Sequence, residues 1–241
     1  MEEIGSPNHV AIIQDGNRRY AYEKNESAYR GHQAGVSATE RILDHCKDLG
    51  VNYLTVYAFS TENFSRDEEE LEDLFDLFEE KFEEIAEDER IHENEIRVRM
   101  IGEPDLMPEK VIKKVEKAER STEGYSNFYF NIALGYGGKK ELVDTMKLLE
   151  EKIKDGSLEI EDIDKDVISG SLYPHHLDEE KLPQVDLLIR TGGEKRFSNF
   201  LLWQASGEEC VTYFTDEYWP EFDEESFNKA IEKYKLTLEK S

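Results

Sequence analysis

Cysteine is scarce in this chain, and long apolar runs are missing. Only two cysteines occur among its 241 residues, Cys46 and Cys210, and they form no CxxC pair. This number and spacing exclude a disulfide framework or a cysteine zinc site and indicate a reducing compartment. No apolar run approaches the roughly 20 residues that span a bilayer. The first residues form neither a basic nor an apolar signal region, so we expect a cytoplasmic protein.

Positive charge is also in short supply. The chain has 30 Lys and Arg against 56 Asp and Glu, a net charge of −26. Such a field repels nucleic acid, which excludes DNA or RNA as a general partner. The arginines nevertheless gather beside particular turns: Arg18, Arg19, Arg30, Arg66, Arg190 and Arg196.

Short apolar runs alternate with segments of helical spacing along the chain. The runs predicted to be strands are 9–14, 52–59, 95–102, 127–134, 185–190 and 211–215. This alternation predicts an α/β fold with a central, mainly parallel sheet flanked by helices. No repeat or linker interrupts it, so a single domain over 1–241 is expected. The longest predicted helix is 68–90, whose apolar stripe is typical of core or of a wall around a long apolar ligand.

The most informative segment follows the first predicted strand. It reads Asp15-Gly16-Asn17-Arg18-Arg19. A glycine lets the backbone approach a ligand, and arginine side chains suit phosphate. Asp15 would contact phosphate only through a cation, so the segment predicts a Mg²⁺-diphosphate site. The alternative is a turn with a capping aspartate and two solvated arginines.

Two further segments follow predicted strands. Residues 60–66 carry hydroxyls, an acid and Arg66, which is consistent with either phosphate binding or an ordinary turn. In the other, Arg190 precedes two glycines, Arg196, Ser198 and a predicted apolar helix. Glycines form a concave nest of N–H groups that arginines complete as an anion cradle. Two cradles and one metal-competent acid predict two phosphorylated substrates, at least one of them apolar.

These segments name a family. Residues 9–20, 57–66 and 186–204, with Trp219-Pro220, resemble the cis-prenyltransferases, which are undecaprenyl and dehydrodolichyl diphosphate synthases; the first segment has the archaeal and eukaryotic form. The resemblance implies a homodimeric α/β fold with an apolar tunnel and a requirement for Mg²⁺. It further implies condensation of isopentenyl diphosphate with an allylic prenyl diphosphate, geranylgeranyl or farnesyl diphosphate. The product would be a long-chain cis-polyprenyl diphosphate, the precursor of a glycosyl carrier lipid.

The resemblance also assigns roles to residues. Asp15 and Asn63 are the expected catalytic residues. The expected ligands of the allylic diphosphate are Gly16, Asn17, Arg18, Arg19, His32 and Arg66, with Ser60, Glu62 and Phe64 positioning the substrate. Arg190, Arg196 and Ser198 are expected to bind isopentenyl diphosphate. Asp15 and Glu209 are the expected metal ligands, with Glu208 as the alternative to Glu209. Ala28 stands where bacterial members have a phosphate-binding arginine, a role that Arg30 could take.

Other readings stay open at this point. Within the family, the chain could be a non-catalytic partner subunit, although such partners typically lose the first motif. Outside it, a Mg²⁺-dependent phosphohydrolase would release phosphate without a prenyl acceptor, and a carrier would bind a prenyl diphosphate without converting it.

The starter, the product length and the acceptor are not fixed by the sequence. Release of an apolar product implies peripheral membrane contact, although the acidic protein surface should be repelled by anionic lipid headgroups.

Overall fold

All six predicted strands are present and form one parallel sheet. The computed structural model describes residues 5–174, 181–207 and 210–240. The strands are β1 (His9–Ile13), β2 (Tyr53–Ser60), β3 (Ile96–Ile101), β4 (Phe128–Tyr136), β5 (Leu187–Arg190) and β6 (Val211–Phe214). Their order in the sheet is β3-β4-β2-β1-β5-β6, and every neighbouring pair is parallel. The predicted fold class is therefore confirmed.

Helices connect the strands and cover the sheet. They are α1 (Asn17–Glu23), α2 (Ala28–Asp48), α3 (Glu68–Ile85), α4 (Glu89–Glu93), α5 (Glu109–Ser121), α6 (Gly138–Lys154), α7 (Lys165–Ser169) and α8 (Glu224–Leu238), with 3₁₀ turns at Thr61–Ser65, Pro104–Leu106, Ile160–Asp162 and Trp219–Glu221. In the parts of the chain that the structure describes, no helix combines the length and apolar content needed to cross a membrane.

Alternate residues of the central strand pack into two different cores. Val10 and Ile12 belong to one buried apolar cluster, whereas Ala11 and Ile13 belong to a second. All five residues of β1 are buried. This explains why the strand reads as a continuous apolar run, because both faces of a parallel sheet are covered.

The predicted helix over 68–90 was wrong in its extent. It ends at Ile85, and a separate short helix, α4, begins at Glu89. The Asp88 side chain accepts a hydrogen bond from the backbone N–H of Arg90 at 2.8 Å and so caps the start of the new helix. The 21-residue α2 is longer than the 18-residue α3.

The apolar helix predicted after Ser198 was also wrong. Residues 201–205 form turns, and Ser198, Asn199 and Leu201 have positive φ angles. Asn199 is held from outside its own segment, since its backbone carbonyl accepts from Gly138 N at 2.7 Å and its side chain accepts from Lys139 N at 2.9 Å. The segment therefore accepts hydrogen bonds from the first backbone N–H groups of α6 instead of forming a helix of its own.

The strand order places the candidate site. β1 lies between β2 and β5, and Ile13 pairs with Tyr57 on one side and with Arg190 on the other. After β1 the chain continues to β2, whereas after β5, the neighbour of β1 on the other side, it continues to β6 in the opposite direction along the sheet. Such a switch point is where open α/β sheets bind ligands, at the carboxyl ends of the strands.

Candidate active site

Three strand ends converge on one open basin. It has a volume of about 770 Å³ and lies beyond the carboxyl ends of β1, β2 and β5. Thirteen predicted site residues from all three sequence segments and α2 line it: Asp15, Gly16, Asn17, Arg18, Arg19, His32, Ser60, Glu62, Asn63, Arg66, Arg190, Arg196 and Ser198.

Asp15 stands between two arginines from distant parts of the chain. Its Oδ1 accepts from Arg19 Nη2 and its Oδ2 accepts from Arg190 Nη2, both at 2.9 Å. The backbone carbonyl of Asp15 accepts from the Thr191 hydroxyl at 2.7 Å and from Trp219 N at 3.0 Å. The side chain remains 30% exposed, so the carboxylate is fixed in place and still open to the basin.

Gly16 has to be glycine for two reasons. Its φ angle is +111°, a value that side-chain-bearing residues rarely adopt, and a Cβ there would lie 2.7 Å from Tyr218 Cδ1. The Tyr218 ring in turn lies 5.3 Å from the Arg19 guanidinium carbon. The turn after β1 thus packs directly against Tyr218. The sequence motifs did not indicate this residue as a neighbour of the site.

Arg18, His32 and Arg66 form the basic side of the basin. They come from α1, from α2 and from the turn after β2. His32 is nearly buried, and this burial lowers the pKa of its imidazole, although contact with Glu70 acts in the opposite direction. Glu70, another residue that the motifs missed, contacts all three basic side chains.

Arg190 organises the second anion cradle. Its Nη1 lies 2.5 Å from both the backbone carbonyl of Arg196 and the Ser198 hydroxyl oxygen. Its Nε is buried and finds no acceptor among the described residues. An N–H group left this way in a cradle of donors fits an anionic ligand that completes the site. Arg196 itself is exposed, with its Nε 3.4 Å from Glu194.

A hydrogen bond links the two sides of the basin. Glu62 Oε1 accepts from Asn199 Nδ2 at 3.1 Å. Partial burial acts to raise the pKa of Glu62, but hydrogen bonds from its own backbone and from Asn199, Ser60 and Thr61 leave it below the ordinary value. Asn199 follows Ser198 in the third segment, and that adjacency was the only sequence signal for it.

The other residues named from the sequence make local contacts or lie outside the described part of the chain. Asn63 Oδ1 accepts from the backbone N–H of Ser60 at 2.9 Å and so closes the turn after β2. Phe64 packs in an aromatic cluster, 4.9 Å from the Phe59 ring. Arg30 is exposed and donates to Gln33 at 3.1 Å. Glu208 and Glu209 lie outside the described residues.

An apolar cavity adjoins the basin. It has a volume of about 160 Å³ and lies between α2 and α3, over β2 and β4. One of these elements, α3, lies within the helix predicted over 68–90, whose apolar stripe the sequence analysis related to core or to the wall of an apolar site. Five residues line both spaces: Gln14, Asn17, His32, Ala58 and Leu74. A ligand with an anionic head and an apolar tail would fit across this boundary.

The donor set fits a metal ion that a substrate helps to hold. Within residues 5–174, 181–207 and 210–240, no three His, Cys, Asp or Glu side chains are grouped to hold a metal. Asp15 nevertheless presents a fixed, partly exposed carboxylate to the basin. Mg²⁺ commonly uses one or two carboxylates together with substrate phosphates and water, so this single acid fits it.

Comparison with known proteins agrees with the geometry. The family model described as "Putative undecaprenyl diphosphate synthase" matches residues 13–240. The chain is 48% identical over 234 residues to a tritrans,polycis-undecaprenyl-diphosphate synthase (geranylgeranyl-diphosphate specific) of Methanocaldococcus jannaschii, covering 97% of this chain and 82% of that protein. It is 46% identical to the Thermococcus kodakarensis protein of the same name, covering 97% and 87%. The crystal structure of lavandulyl diphosphate synthase from Lavandula x intermedia, in complex with dimethylallyl diphosphate, aligns with a TM-score of 0.87 and 31% identity over 95% of each chain.

Proposed function

Since the chain belongs to the undecaprenyl diphosphate synthase family of cis-prenyltransferases, we propose that it condenses isopentenyl diphosphate with geranylgeranyl diphosphate. Repeated condensation gives a long cis-polyprenyl diphosphate, a precursor of a glycosyl carrier lipid. Geranylgeranyl diphosphate is preferred over farnesyl diphosphate as the starter because the archaeal relatives carry that specificity in their names.

The observation that carries the proposal is the position of Asp15. Its two carboxylate oxygens join Arg19, in the first cradle, to Arg190, in the second. A single-phosphate hydrolase needs one anion site, whereas a transferase that joins two diphosphates needs two that meet at the reacting carbons. We assign the side of Gly16, Asn17, Arg18, Arg19, His32 and Arg66 to the allylic diphosphate and the side of Arg190, Arg196 and Ser198 to isopentenyl diphosphate.

The chemistry follows from this placement. The allylic C–O bond breaks, and the electron pair leaves with the diphosphate, whose developing charge the arginines of the first cradle stabilise. The double bond of isopentenyl diphosphate attacks the allylic carbon, and loss of one proton from the new unit forms the cis double bond. Asn63 Oδ1 already accepts from Ser60 N. We therefore assign the proton to a diphosphate oxygen and give Asn63, with Ser60 and Glu62, the task of ordering the turn beside it. Holding both substrates together supplies a large part of the rate.

We propose Mg²⁺ as the cofactor, with Asp15 as its described protein ligand and Glu209 as a second ligand from the sequence resemblance. A bound Mg²⁺ would neutralise charge on the departing diphosphate. Asp15 contributes a carboxylate that two arginines orient before any ligand binds.

The apolar cavity is the proposed site of the prenyl chain. Its volume of about 160 Å³ resembles that of a cavity of roughly 150 Å³ that admits benzene. A chain of many isoprene units would fit only if α2 and α3 move apart as it grows. Phe64 contacts the rings of Phe59, on β2, and Phe75, on α3, and so helps to hold α3 against the sheet beside the cavity.

Replacing Ala58 by leucine should shorten the product. Ala58 is a small residue at the boundary of the basin and the cavity, so a larger side chain there narrows the entry. We expect kcat/KM for geranylgeranyl diphosphate to fall at least about tenfold, because a few misplaced methylenes in an apolar site have effects of this size. The chain lengths of the products formed from geranylgeranyl diphosphate, resolved by chromatography, measure the effect on elongation. An unchanged product length with this starter would contradict the placement of the chain.

We also propose a homodimer. Val143 and Met146 lie three positions apart on α6 and are 50% and 67% exposed. Exposed apolar residues on one helix face are typical of an interface, and two-fold dimers are the commonest assembly. Light scattering should give a molar mass twice that of one chain, and Met146→Glu should reduce it to that of a monomer. A wild-type monomer would contradict the dimer.

Product release is expected at the cytoplasmic face of a membrane. A polyprenyl diphosphate is too apolar to leave readily into water, whereas a bilayer accepts its chain. The net charge of −26 limits contact with anionic headgroups, so the proposed contact is brief and peripheral.

The proposed function is tested by offering labelled isopentenyl diphosphate with geranyl, farnesyl or geranylgeranyl diphosphate in separate reactions. We expect Mg²⁺-dependent incorporation, highest with geranylgeranyl diphosphate and absent in EDTA. Equal incorporation with all three would overturn the starter assignment, and no incorporation with any of them would overturn the transferase activity.

A further inference from the structure

One carboxylate lies among three basic side chains of the first cradle. Glu70 Oε1 accepts from Arg66 Nη1 at 2.9 Å, lies 3.2 Å from His32 Nε2 and lies 3.6 Å from Arg18 Nε. Its side chain is only 11% exposed. The three partners come from three elements, so Glu70 ties α1, α2 and the turn after β2 to α3.

The sequence gives no hint of this role. Glu70 follows Glu68 and Glu69 in the first turn of α3. Acids at a helix start are common because they interact favourably with the helix dipole. Glu69 shares that position and charge but is exposed, which makes it a matched control.

Glu70 offsets an electrostatic cost. The guanidinium groups of Arg18 and Arg66 line one basin and repel each other, and the repulsion is stronger where water is excluded. Burial lowers the pKa of His32, and the charges of Arg66 and Arg18 lower it further, whereas Glu70 raises it. Burial also lowers the pKa of Arg66, and Glu70 again acts in the opposite direction.

Glu70 does not consume the donors that a diphosphate needs. A guanidinium carries five N–H donors. Glu70 approaches one nitrogen of Arg66 and one nitrogen of Arg18, which leaves the others for a ligand. Donors that are ordered before binding lose less conformational entropy when the ligand arrives.

We infer that Glu70 is a positioning residue of the first anion site, which orders Arg18, His32 and Arg66 for the allylic diphosphate. The identity of that ligand rests on the proposed function. The ordering of the three basic side chains rests on the contacts of Glu70 alone.

The kinetic test compares Glu70→Gln with Glu69→Gln, each of which removes one charge from the same helix turn and keeps the side-chain shape. For Glu70→Gln we expect KM for geranylgeranyl diphosphate to rise about tenfold, the effect of losing charge-assisted ordering, with kcat changed less than about threefold. The KM for isopentenyl diphosphate should stay at the wild-type value. Glu69→Gln should match the wild type throughout. An unchanged allylic KM in Glu70→Gln, or equal losses for both substrates, would overturn the inference.

A second readout needs no substrate. Without the Glu70 charge, Arg18 and Arg66 continue to disfavour the protonated imidazole of His32. The pKa of His32, followed by NMR titration of the ligand-free protein, should therefore be lower in Glu70→Gln than in the wild type and unchanged in Glu69→Gln. An unchanged value in Glu70→Gln would overturn the inference. If the wild type neither binds geranylgeranyl diphosphate nor incorporates label, the proposed function fails, while this titration still tests the link between Glu70 and His32.

Discussion

Replacing Asp15 by asparagine is expected to lower kcat by about 10³-fold or more. The variant keeps the size of the side chain but removes the charge that two arginines and a metal ion would share. Loss of a single preorganised group at a developing charge typically reduces kcat by about 10²–10³-fold, and here the proposed metal contact would be lost as well. Single-turnover incorporation of labelled isopentenyl diphosphate measures the effect.

The fold should survive this change. Arg190 keeps its contacts with the Arg196 carbonyl and the Ser198 hydroxyl. The backbone carbonyl at position 15 still accepts hydrogen bonds from the Thr191 hydroxyl and from Trp219 N. Thermal unfolding of Asp15→Asn should therefore remain cooperative. A folded Asp15→Asn or Asp15→Ala enzyme that turns over like the wild type would contradict the assignment of Asp15.

The second large effect is expected at Arg190. In Arg190→Lys, the kcat/KM for isopentenyl diphosphate should fall about 10²–10³-fold, because an ammonium cannot reproduce the forked contacts of a guanidinium. Arg190 is 5% exposed and holds Asp15, the Arg196 carbonyl and Ser198 together. Steady-state kinetics with each substrate varied in turn would separate the two cradles.

Arg196→Lys is the matched control for this prediction. Arg196 belongs to the same cradle but is 68% exposed, so the same substitution should have a smaller effect on isopentenyl diphosphate. Binding of geranylgeranyl diphosphate alone, measured by calorimetry, should change little in either variant. If Arg190→Lys weakened the allylic substrate as much as isopentenyl diphosphate, the division into two cradles would be wrong.

The sheet and the location of the site could be predicted from the sequence because both depend on local patterns. Strands buried on both faces read as short runs such as Val10–Ile13, and every one of the six runs became a strand. Site residues follow three of these strands directly. Once the sheet is parallel, its topology brings Asp15, Ser60 and Arg190 to the same edge.

What the sequence did not reveal depends on distant contacts. In the sequence, Glu70 looks like any acidic residue in the first turn of a helix. Its role becomes visible only in the structure, where Arg18, His32 and Arg66 surround it. The turn at 201–205 has apolar residues suited to a helix, but α6 binds Asn199 and prevents one.

We propose above that this chain joins two diphosphate substrates through a new carbon–carbon bond. The most direct test is to mix the enzyme with geranylgeranyl diphosphate, labelled isopentenyl diphosphate and Mg²⁺, and then to quantify polyprenyl product, diphosphate and orthophosphate together. We expect one diphosphate released for each isopentenyl unit incorporated, with cis double bonds in the product and no orthophosphate. Orthophosphate release that does not require isopentenyl diphosphate would instead indicate a phosphohydrolase, and tight binding of geranylgeranyl diphosphate without any product would indicate a carrier.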